Sequence, residues 1–227
     1  DDLLAVPKEI APEKWEFHNR PERISSIRYS LDHANLVYCS TDRLCDRLDA
    51  YGIKATSLAG RIYCSALPLA TAEVRQVKKI GYMGIGHEGD LSSVLPAVIN
   101  YLKRNPQVTF EIFGTIPIPP SLAVFGSRIS FAPKIDNYEE FLQRFADYQW
   151  DIGICPLEPT PFNLLKANTK WVEYTAVGAA VIASRGTVYD QCCADGCGVL
   201  AESESEWLAA LELLTHQPQA RAGMVRK

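Results

Sequence analysis

Lys166, Lys170 and Glu173 are the side chains in this sequence whose types and spacing best suit chemistry. They follow a short apolar segment, 151–155, with the composition of a buried strand. All three fall within a segment, 163–176, with the pattern of a helix. Residues three or four apart lie on one face of a helix, about one turn from each other. The spacing therefore predicts that two ammonium groups and a carboxylate share one helical face.

The predicted helix begins at about Asn163, directly after Phe162 and just past the carboxyl end of the strand. Open α/β sheets bind their ligands at such strand ends. Free backbone N–H groups and the helix dipole favour an anion there, Lys166 and Lys170 add positive charge, and Glu173 can accept hydrogen bonds from sugar hydroxyls. A phosphorylated, hydroxyl-rich ligand is therefore predicted. The competing interpretation is that the lysines are solvated and that Glu173 only pairs with Lys170.

Length, charge and cysteine content limit the class of protein. The 227 residues suit one large or two small α/β domains, and no apolar run approaches the roughly 18 residues that cross a bilayer, which indicates a soluble globular protein. The formal net charge of −4 argues against a nucleic-acid partner. The seven cysteines form no zinc-binding pattern, and their odd number suits reduced thiols. We therefore expect a cytoplasmic protein without a metal site.

The order of strand and helix patterns predicts two regions. Residues 1–22 indicate an extended lead-in, two strand and two helix patterns follow, and residues 59–77 have the composition of a linker. From residue 78 onwards strands and helices alternate, which implies a parallel sheet with right-handed crossovers. We predict a Rossmann-like α/β domain over 78–227, with helices on both faces of its sheet, preceded by a partial α/β region over 1–77.

Two further groups of candidate residues lie at predicted strand ends. Gly84 and Gly86 follow the first strand of the second region, where glycine lets a ligand approach the backbone. The adjacent His87 could contact a phosphate or be an exposed loop residue. Pro133–Ile135 follow the third strand, where their backbone could bind a nucleobase or form an ordinary loop. The glycines do not match G-x-G-x-x-G, and no acidic residue ends the second strand, so a dinucleotide oxidoreductase is not expected.

Five segments of the second region form a series: KIGYMG, FEIFG, DIGICPLE, PFNLLKANTKWVEYTAVGAAVIAS and GCGVLAES. Together they resemble the C-terminal, donor-binding domain of GT-B glycosyltransferases of the "glycosyl transferases group 1" type. The fourth segment is the specific one, and the others are generic. Residues 22–60 resemble the end of the N-terminal domain of such enzymes. Because the sequence begins with Asp1 rather than Met and ends inside a predicted helix, we expect a piece of a longer enzyme that lacks most of that domain.

The resemblance implies roles for the candidate residues. Glu173 would hold the ribose hydroxyls of a nucleotide-sugar donor, Gly84 and Gly86 would face its phosphates, and the backbone at Pro133–Ile135 would meet the base. Lys166 and Lys170 would stabilise the departing nucleoside diphosphate. The catalytic candidates are then Lys166 and Glu173, and the donor site comprises Gly84, Gly86, His87, Pro133, Lys134, Ile135, Phe162, Asn163, Lys166, Lys170 and Glu173.

The implied activity is transfer of a sugar from a nucleotide sugar to a saccharide, lipid or protein acceptor. It would be independent of metals and cofactors and would retain the anomeric configuration. Transfer would need the longer enzyme, so this chain alone is expected to be inactive. Any association with a membrane would likewise belong to the longer enzyme.

Departures from the family pattern leave two alternatives open. Leu165 stands where many relatives carry a second glutamate, so the neighbouring Lys166 would have to serve the phosphates, and Leu58-Ala59-Gly60 replaces the usual Pro-Asn-Gly hinge. One alternative is a non-catalytic GT-B-like module that binds nucleotide or acts as a scaffold. The other is a nucleotide-sugar epimerase of the same architecture, although the acid and base carboxylates that it needs are not evident.

Overall fold

The chain divides into two compact units. The computed structural model describes residues 2–8, 12–60, 73–86 and 88–227, with residues 12–14 described by their backbone alone. The first unit comprises Asp1–Tyr63 and Pro159–Asn168, and the second comprises Cys64–Glu158 and Thr169–Lys227. The predicted regions, 1–77 and 78–227, place residues 159–168 in the second region, whereas in the structure these residues group with the first unit.

A small parallel βαβ arrangement, preceded by two helices, forms the first unit. Its elements are α1 (Pro12–His18), α2 (Pro21–His33), β1 (Leu36–Cys39), α3 (Asp42–Ala50) and β2 (Thr56–Ala59), and β1 pairs with β2 in parallel. The Thr41 hydroxyl caps α3 by accepting a hydrogen bond from the Leu44 N–H at 3.2 Å. The predicted extended lead-in over 1–22 is wrong at α1, where the proline occupies a first-turn position that needs no N–H donor.

A six-stranded parallel sheet is the centre of the second unit. Its strands are β3 (Lys79–Gly84), β4 (Thr109–Gly114), β5 (Ile129–Pro133), β6 (Ile152–Cys155), β7 (Ala180–Ser184) and β8 (Val199–Ala201), and its helices are α4 (Glu88–Arg104), α5 (Tyr138–Asp147), α6 (Thr169–Ala176), α7 (Glu204–His216) and α8 (Pro218–Arg226). The strand order is β5-β4-β3-β6-β7-β8, which is the order of a Rossmann sheet and reverses between β3 and β6. The predicted fold class is confirmed.

Glycines in two central strands let aromatic rings lie directly on the sheet. A Cβ atom at Gly81 of β3 would lie 2.0 Å from the ring of Trp150, and one at Gly153 of β6 would lie 2.2 Å from the ring of Tyr174. Real Cβ atoms do not approach carbon this closely, so any side chain at either position would push the ring away. The close approach at Gly153 holds α6 against the sheet, and α6 carries the candidate residues Lys170 and Glu173.

The predicted continuous helix over 163–176 is wrong. Asn163–Leu165 form one turn of 3-10 helix, Lys166 is extended with ψ of 162°, and α6 begins only at Thr169. A continuous helix would use the Leu165 carbonyl as the acceptor for the Thr169 N–H. Instead, that carbonyl accepts a hydrogen bond from the Thr41 hydroxyl at 3.3 Å within the first unit. Lys166 and Lys170 therefore do not share a helical face.

Among the described residues there is neither a candidate membrane-spanning helix nor a candidate metal-binding cluster. None of the helices in this part of the chain is both long and apolar enough to cross a bilayer. Over the same residues, no cluster of three or more His, Cys, Asp or Glu side chains is arranged to hold a metal ion.

Candidate functional site

A cleft of about 330 Å³ opens at the carboxyl ends of β3, β4 and β5. This is the edge at which open α/β sheets bind ligands, and it adjoins the point where the strand order reverses. The lining residues come from the ends of these strands, the start of α5 and one face of α6: Met83, Gly84, Ile85, Phe113, Gly114, Lys134, Ile135, Tyr138, Phe141, Lys170 and Glu173.

Glu173 is the buried carboxylate of this cleft. Its relative exposure is 5%, and its Oε1 accepts a hydrogen bond from the Tyr138 hydroxyl at 3.2 Å. Burial raises the pKa of Glu173 from its ordinary 4.5 to about 7, against the opposing effects of the Tyr138 hydrogen bond and the Lys170 charge. A buried acid with so raised a pKa in a cleft is a candidate for function, since ordinary packing would favour an apolar residue there.

Lys170 supplies positive charge one turn before Glu173. Its Nζ lies 4.8 Å from the centre of the Tyr82 ring, within the range of a cation–π interaction. The ammonium also favours the ionised form of Glu173 and of the buried thiol of Cys155. The cleft thus holds a cation close to a carboxylate that can accept hydrogen bonds.

Tyr174 fixes α6, and with it Lys170 and Glu173, relative to the sheet. Its buried hydroxyl accepts a hydrogen bond from the Met83 N–H at 2.7 Å and donates one to the Ile154 carbonyl at 3.4 Å. These contacts join α6 to β3 and β6, the two strands at which the sheet order reverses. The position of Glu173 is therefore set by its neighbour in the sequence.

Aromatic rings form an apolar wall of the cleft. Phe113, at the end of β4, stacks on Phe141 with ring centres 5.4 Å apart, and Phe141 stacks on Tyr138 with centres 5.6 Å apart. Offset stacks of this kind are favourable and present flat apolar surface. A planar, partly apolar group of a ligand would find a complementary surface here.

Gly84 is the last residue of β3, and Gly86 lies in the turn that follows. Gly86 has φ of +67°, which favours glycine, and its N–H donates to the Thr115 hydroxyl at 3.1 Å. Asp90 lies inside α4, in the first turn of the helix. The buried Asp90 carboxylate accepts a hydrogen bond from the Glu158 N–H at 2.9 Å and so holds the loop after β6.

Five of the predicted site residues lie together in the cleft: Gly84, Lys134, Ile135, Lys170 and Glu173. Pro133 ends β5, and Gly86 lies in the turn after β3. Phe162, Asn163 and Lys166 belong to the first unit, where the Lys166 Nζ lies 5.4 Å from the centre of the Phe162 ring. His87 lies outside the described residues. The functional roles of all these residues remain predictions.

Six lining residues are not among the candidates from the sequence: Met83, Ile85, Phe113, Gly114, Tyr138 and Phe141. A signal for Tyr138 is present in the sequence, because Asn137 is a residue type that caps helices, and it accepts a hydrogen bond from the Glu140 N–H at 3.0 Å. A residue in the first turn of a helix that follows a sheet strand lies near the strand's carboxyl end.

Comparisons with known proteins reveal likeness at the level of structure. No family model matches the sequence, and no curated protein matches it significantly. HepE from Anabaena, solved in complex with UDP and glucose, aligns with a TM-score of 0.68 and 13% identity over 99% of this chain and 62% of that one. The pneumococcal O-GlcNAc transferase GtfA, solved with UDP and GlcNAc, aligns with a TM-score of 0.63 and 14% identity over 87% of this chain and 43% of that one.

Sucrose-phosphate synthase from Thermosynechococcus elongatus aligns with a TM-score of 0.59 and 16% identity over 96% of this chain and 60% of that one. The fold is that of GT-B glycosyltransferases. The resemblance seen in the sequence segments is thus confirmed at the level of fold. The chain spans less than two thirds of the length of each of these three proteins.

Proposed function

We propose that this chain contains the donor-binding domain of a GT-B glycosyltransferase that uses a nucleotide sugar. In the complete enzyme, the sugar passes from a nucleoside diphosphate to a saccharide, lipid or protein acceptor. The observation that carries the proposal is Glu173, a buried carboxylate at the carboxyl edge of a Rossmann sheet, with a cation and an aromatic wall beside it.

Each part of the cleft suits one part of such a donor. Ionised Glu173 accepts hydrogen bonds from the two ribose hydroxyls, because a carboxylate offers about four acceptor positions. The aromatic wall and the backbone at Lys134 and Ile135 receive the base. The glycine turn at Gly84 lets the diphosphate approach the backbone, and Lys170 attracts its negative charge. HepE and GtfA were each solved with UDP, which makes UDP the first ligand to test.

The chemistry we propose is electrostatic stabilisation of the departing nucleoside diphosphate without a metal ion, with retention at the anomeric carbon. Lys170 lines the cleft and is the first candidate for this task. Lys166 is a second candidate, although it does not lie on α6. Glu173 binds the ribose, and the lysines stabilise the departing diphosphate.

We also propose that the chain is part of a longer, cytoplasmic enzyme and does not transfer sugar by itself. The share of each solved neighbour that it covers, 43% to 62%, supports the first statement. The free thiols of all six described cysteines suit a reducing compartment. The first unit would then be the end of the acceptor domain.

Calorimetric titration with UDP, GDP and their sugar conjugates tests the proposed donor site. We expect saturable binding of one nucleotide and a loss of at least about tenfold, or 1.4 kcal/mol, in Glu173→Ala. Glu140→Ala, which removes an exposed carboxylate from the neighbouring helix α5, should bind as the wild type does. Nucleotide binding that is unchanged in Glu173→Ala would refute the site.

A further inference from the structure

Tyr138 forms a hydrogen bond with Glu173, the cleft residue that we assign to the ribose. It is the first residue of α5, and its hydroxyl donates to Glu173 Oε1 at 3.2 Å. Tyr138 has a relative exposure of 50%, whereas that of Glu173 is only 5%. The Tyr138 ring stacks on Phe141 with an interplanar angle of 26°, which fixes the direction of the phenol.

A carboxylate that binds a vicinal diol must be held in one rotamer, with acceptor positions on both oxygens directed at the ligand. Tyr138 uses one position on Oε1 and leaves the rest available to the two hydroxyls. It also replaces part of the hydration that burial removes, because a hydrogen bond from a neutral donor to a carboxylate stabilises the charged form. A phenylalanine at this position would keep the ring stack and lose both effects.

We propose that Tyr138 is a positioning residue of the donor site: its phenol holds the Glu173 carboxylate in the charged state and the orientation that bind the ribose diol. This inference rests on the proposed function. It assigns to Tyr138 no contact with the reacting atoms. Tyr138 acts through Glu173, and its effect on donor binding therefore depends on whether Glu173 carries a proton.

Other charged and titratable groups near Glu173 must be separated from this effect. Lys170 on α6 favours the ionised form of Glu173, and the buried thiol of Cys155 at the end of β6 interacts electrostatically with Glu173. Lys134, from the β5–α5 connection, lines the cleft and forms an ion pair with Asp136 at 2.6 Å. All of them are retained in Tyr138→Phe. The change in the pH profile between the wild type and this variant therefore isolates the phenol hydroxyl.

The test is calorimetric titration of the wild type and Tyr138→Phe with UDP-glucose at about pH 6 and about pH 8.5, which bracket the pKa of Glu173. UDP-glucose is the suitable ligand because its diphosphate is a diester that does not titrate in this range, unlike that of UDP. At the lower pH we expect binding to the variant to be about fivefold weaker, the value of one ordinary hydrogen bond. At the higher pH Glu173 is ionised in both proteins, so only the part of the loss that comes from orientation should remain, and the affinity ratio should be clearly smaller than at the lower pH.

Tyr148→Phe is the matched control, because it removes the hydroxyl of another α5-associated tyrosine that does not line the cleft. It should bind UDP-glucose like the wild type at both pH values. Equal affinity of wild type and Tyr138→Phe at both pH values, or an equal loss at both, would overturn the positioning role.

A ligand-free readout gives a second test. Carbon NMR of the Glu173 carboxyl should show its titration midpoint moving upward in Tyr138→Phe and staying in place in Tyr148→Phe. An unmoved midpoint in Tyr138→Phe would overturn the inference even if donor binding is normal. By contrast, failure of the proposed function has its own signature, which is wild-type affinity for UDP-glucose in Glu173→Ala. That result would also overturn the inference, because Tyr138 acts through Glu173.

Discussion

Replacing Glu173 by glutamine should stabilise the protein, and should do so increasingly as the pH rises. Glutamine has the same shape and can still accept the Tyr138 hydrogen bond, but it carries no charge in a buried site. The folded-state pKa of Glu173 is raised from 4.5 to about 7, so the folded protein binds this proton more tightly than the unfolded chain does. The contribution of Glu173 to wild-type stability is therefore largest at low pH and is lost as the pH rises through about 7.

The magnitude follows from the two pKa values. Ionisation of Glu173 should destabilise the wild type by about 1 kcal/mol at about pH 5.5 and by about 3 kcal/mol at about pH 8.5. The second value is the full effect of the raised pKa, at about 1.36 kcal/mol per tenfold change in proton affinity. Glu173→Gln lacks this penalty. The difference in unfolding free energy between the two proteins should therefore grow by about 2 kcal/mol over this interval.

Urea unfolding followed by tryptophan fluorescence, repeated across this pH range, measures the difference. Groups that titrate in both proteins cancel from it. Glu140→Gln, an exposed change on α5, should give a difference near zero at every pH. A Glu173→Gln difference that does not vary with pH, or one that falls as the pH rises, would refute the assignment of a buried, raised-pKa carboxylate. The predicted result would mean that stability is sacrificed at this position, as is common where a residue serves function.

Further substitutions test how the cleft is built. Gly153→Ala should destabilise the second unit by about 1–3 kcal/mol, because the new methyl group would meet the Tyr174 ring at 2.2 Å. Gly89→Ala on α4, where a Cβ has open space, is the matched control, and equal stability of the two variants would contradict this packing. Lys170→Ala and Lys166→Ala should each weaken nucleotide-sugar binding at least about tenfold, or 1.4 kcal/mol, by calorimetry; unchanged affinity in either variant removes that lysine from the site.

Most of the fold could be predicted from the sequence because its signals are local. Apolar strands that end in glycine or proline, such as Lys79–Gly84 and Ile129–Pro133, alternate with amphipathic helices, and this alternation implies a parallel sheet. The side chains of Thr41, Asn137 and Ser203 cap the helices that follow them, and these residue types are a local signal of a helix start. None of these signals depends on residues distant in the sequence.

At the candidate site, the sequence-based predictions fall short where residues distant in the sequence form the contacts. At the break before α6, the Leu165 carbonyl accepts a hydrogen bond from the Thr41 hydroxyl, 124 residues away in the sequence. Local spacing cannot reveal such a contact, so Lys166 was placed on the wrong element. The hydrogen bond from Tyr138 to Glu173 joins residues 35 apart and was invisible for the same reason. The sequence thus identified Glu173 as a candidate but not the phenol that contacts it.

The most direct test of the donor site compares UDP with its 2′-deoxy analogue on the wild type and on Glu173→Ala. If Glu173 accepts hydrogen bonds from the ribose diol, the wild type should bind UDP at least about tenfold more tightly than it binds the deoxy analogue. A hydrogen bond to a charged group is worth about 1.5–3 kcal/mol. This preference should disappear in Glu173→Ala. Equal binding of the two nucleotides by the wild type, or a preference that survives in the variant, would contradict the account.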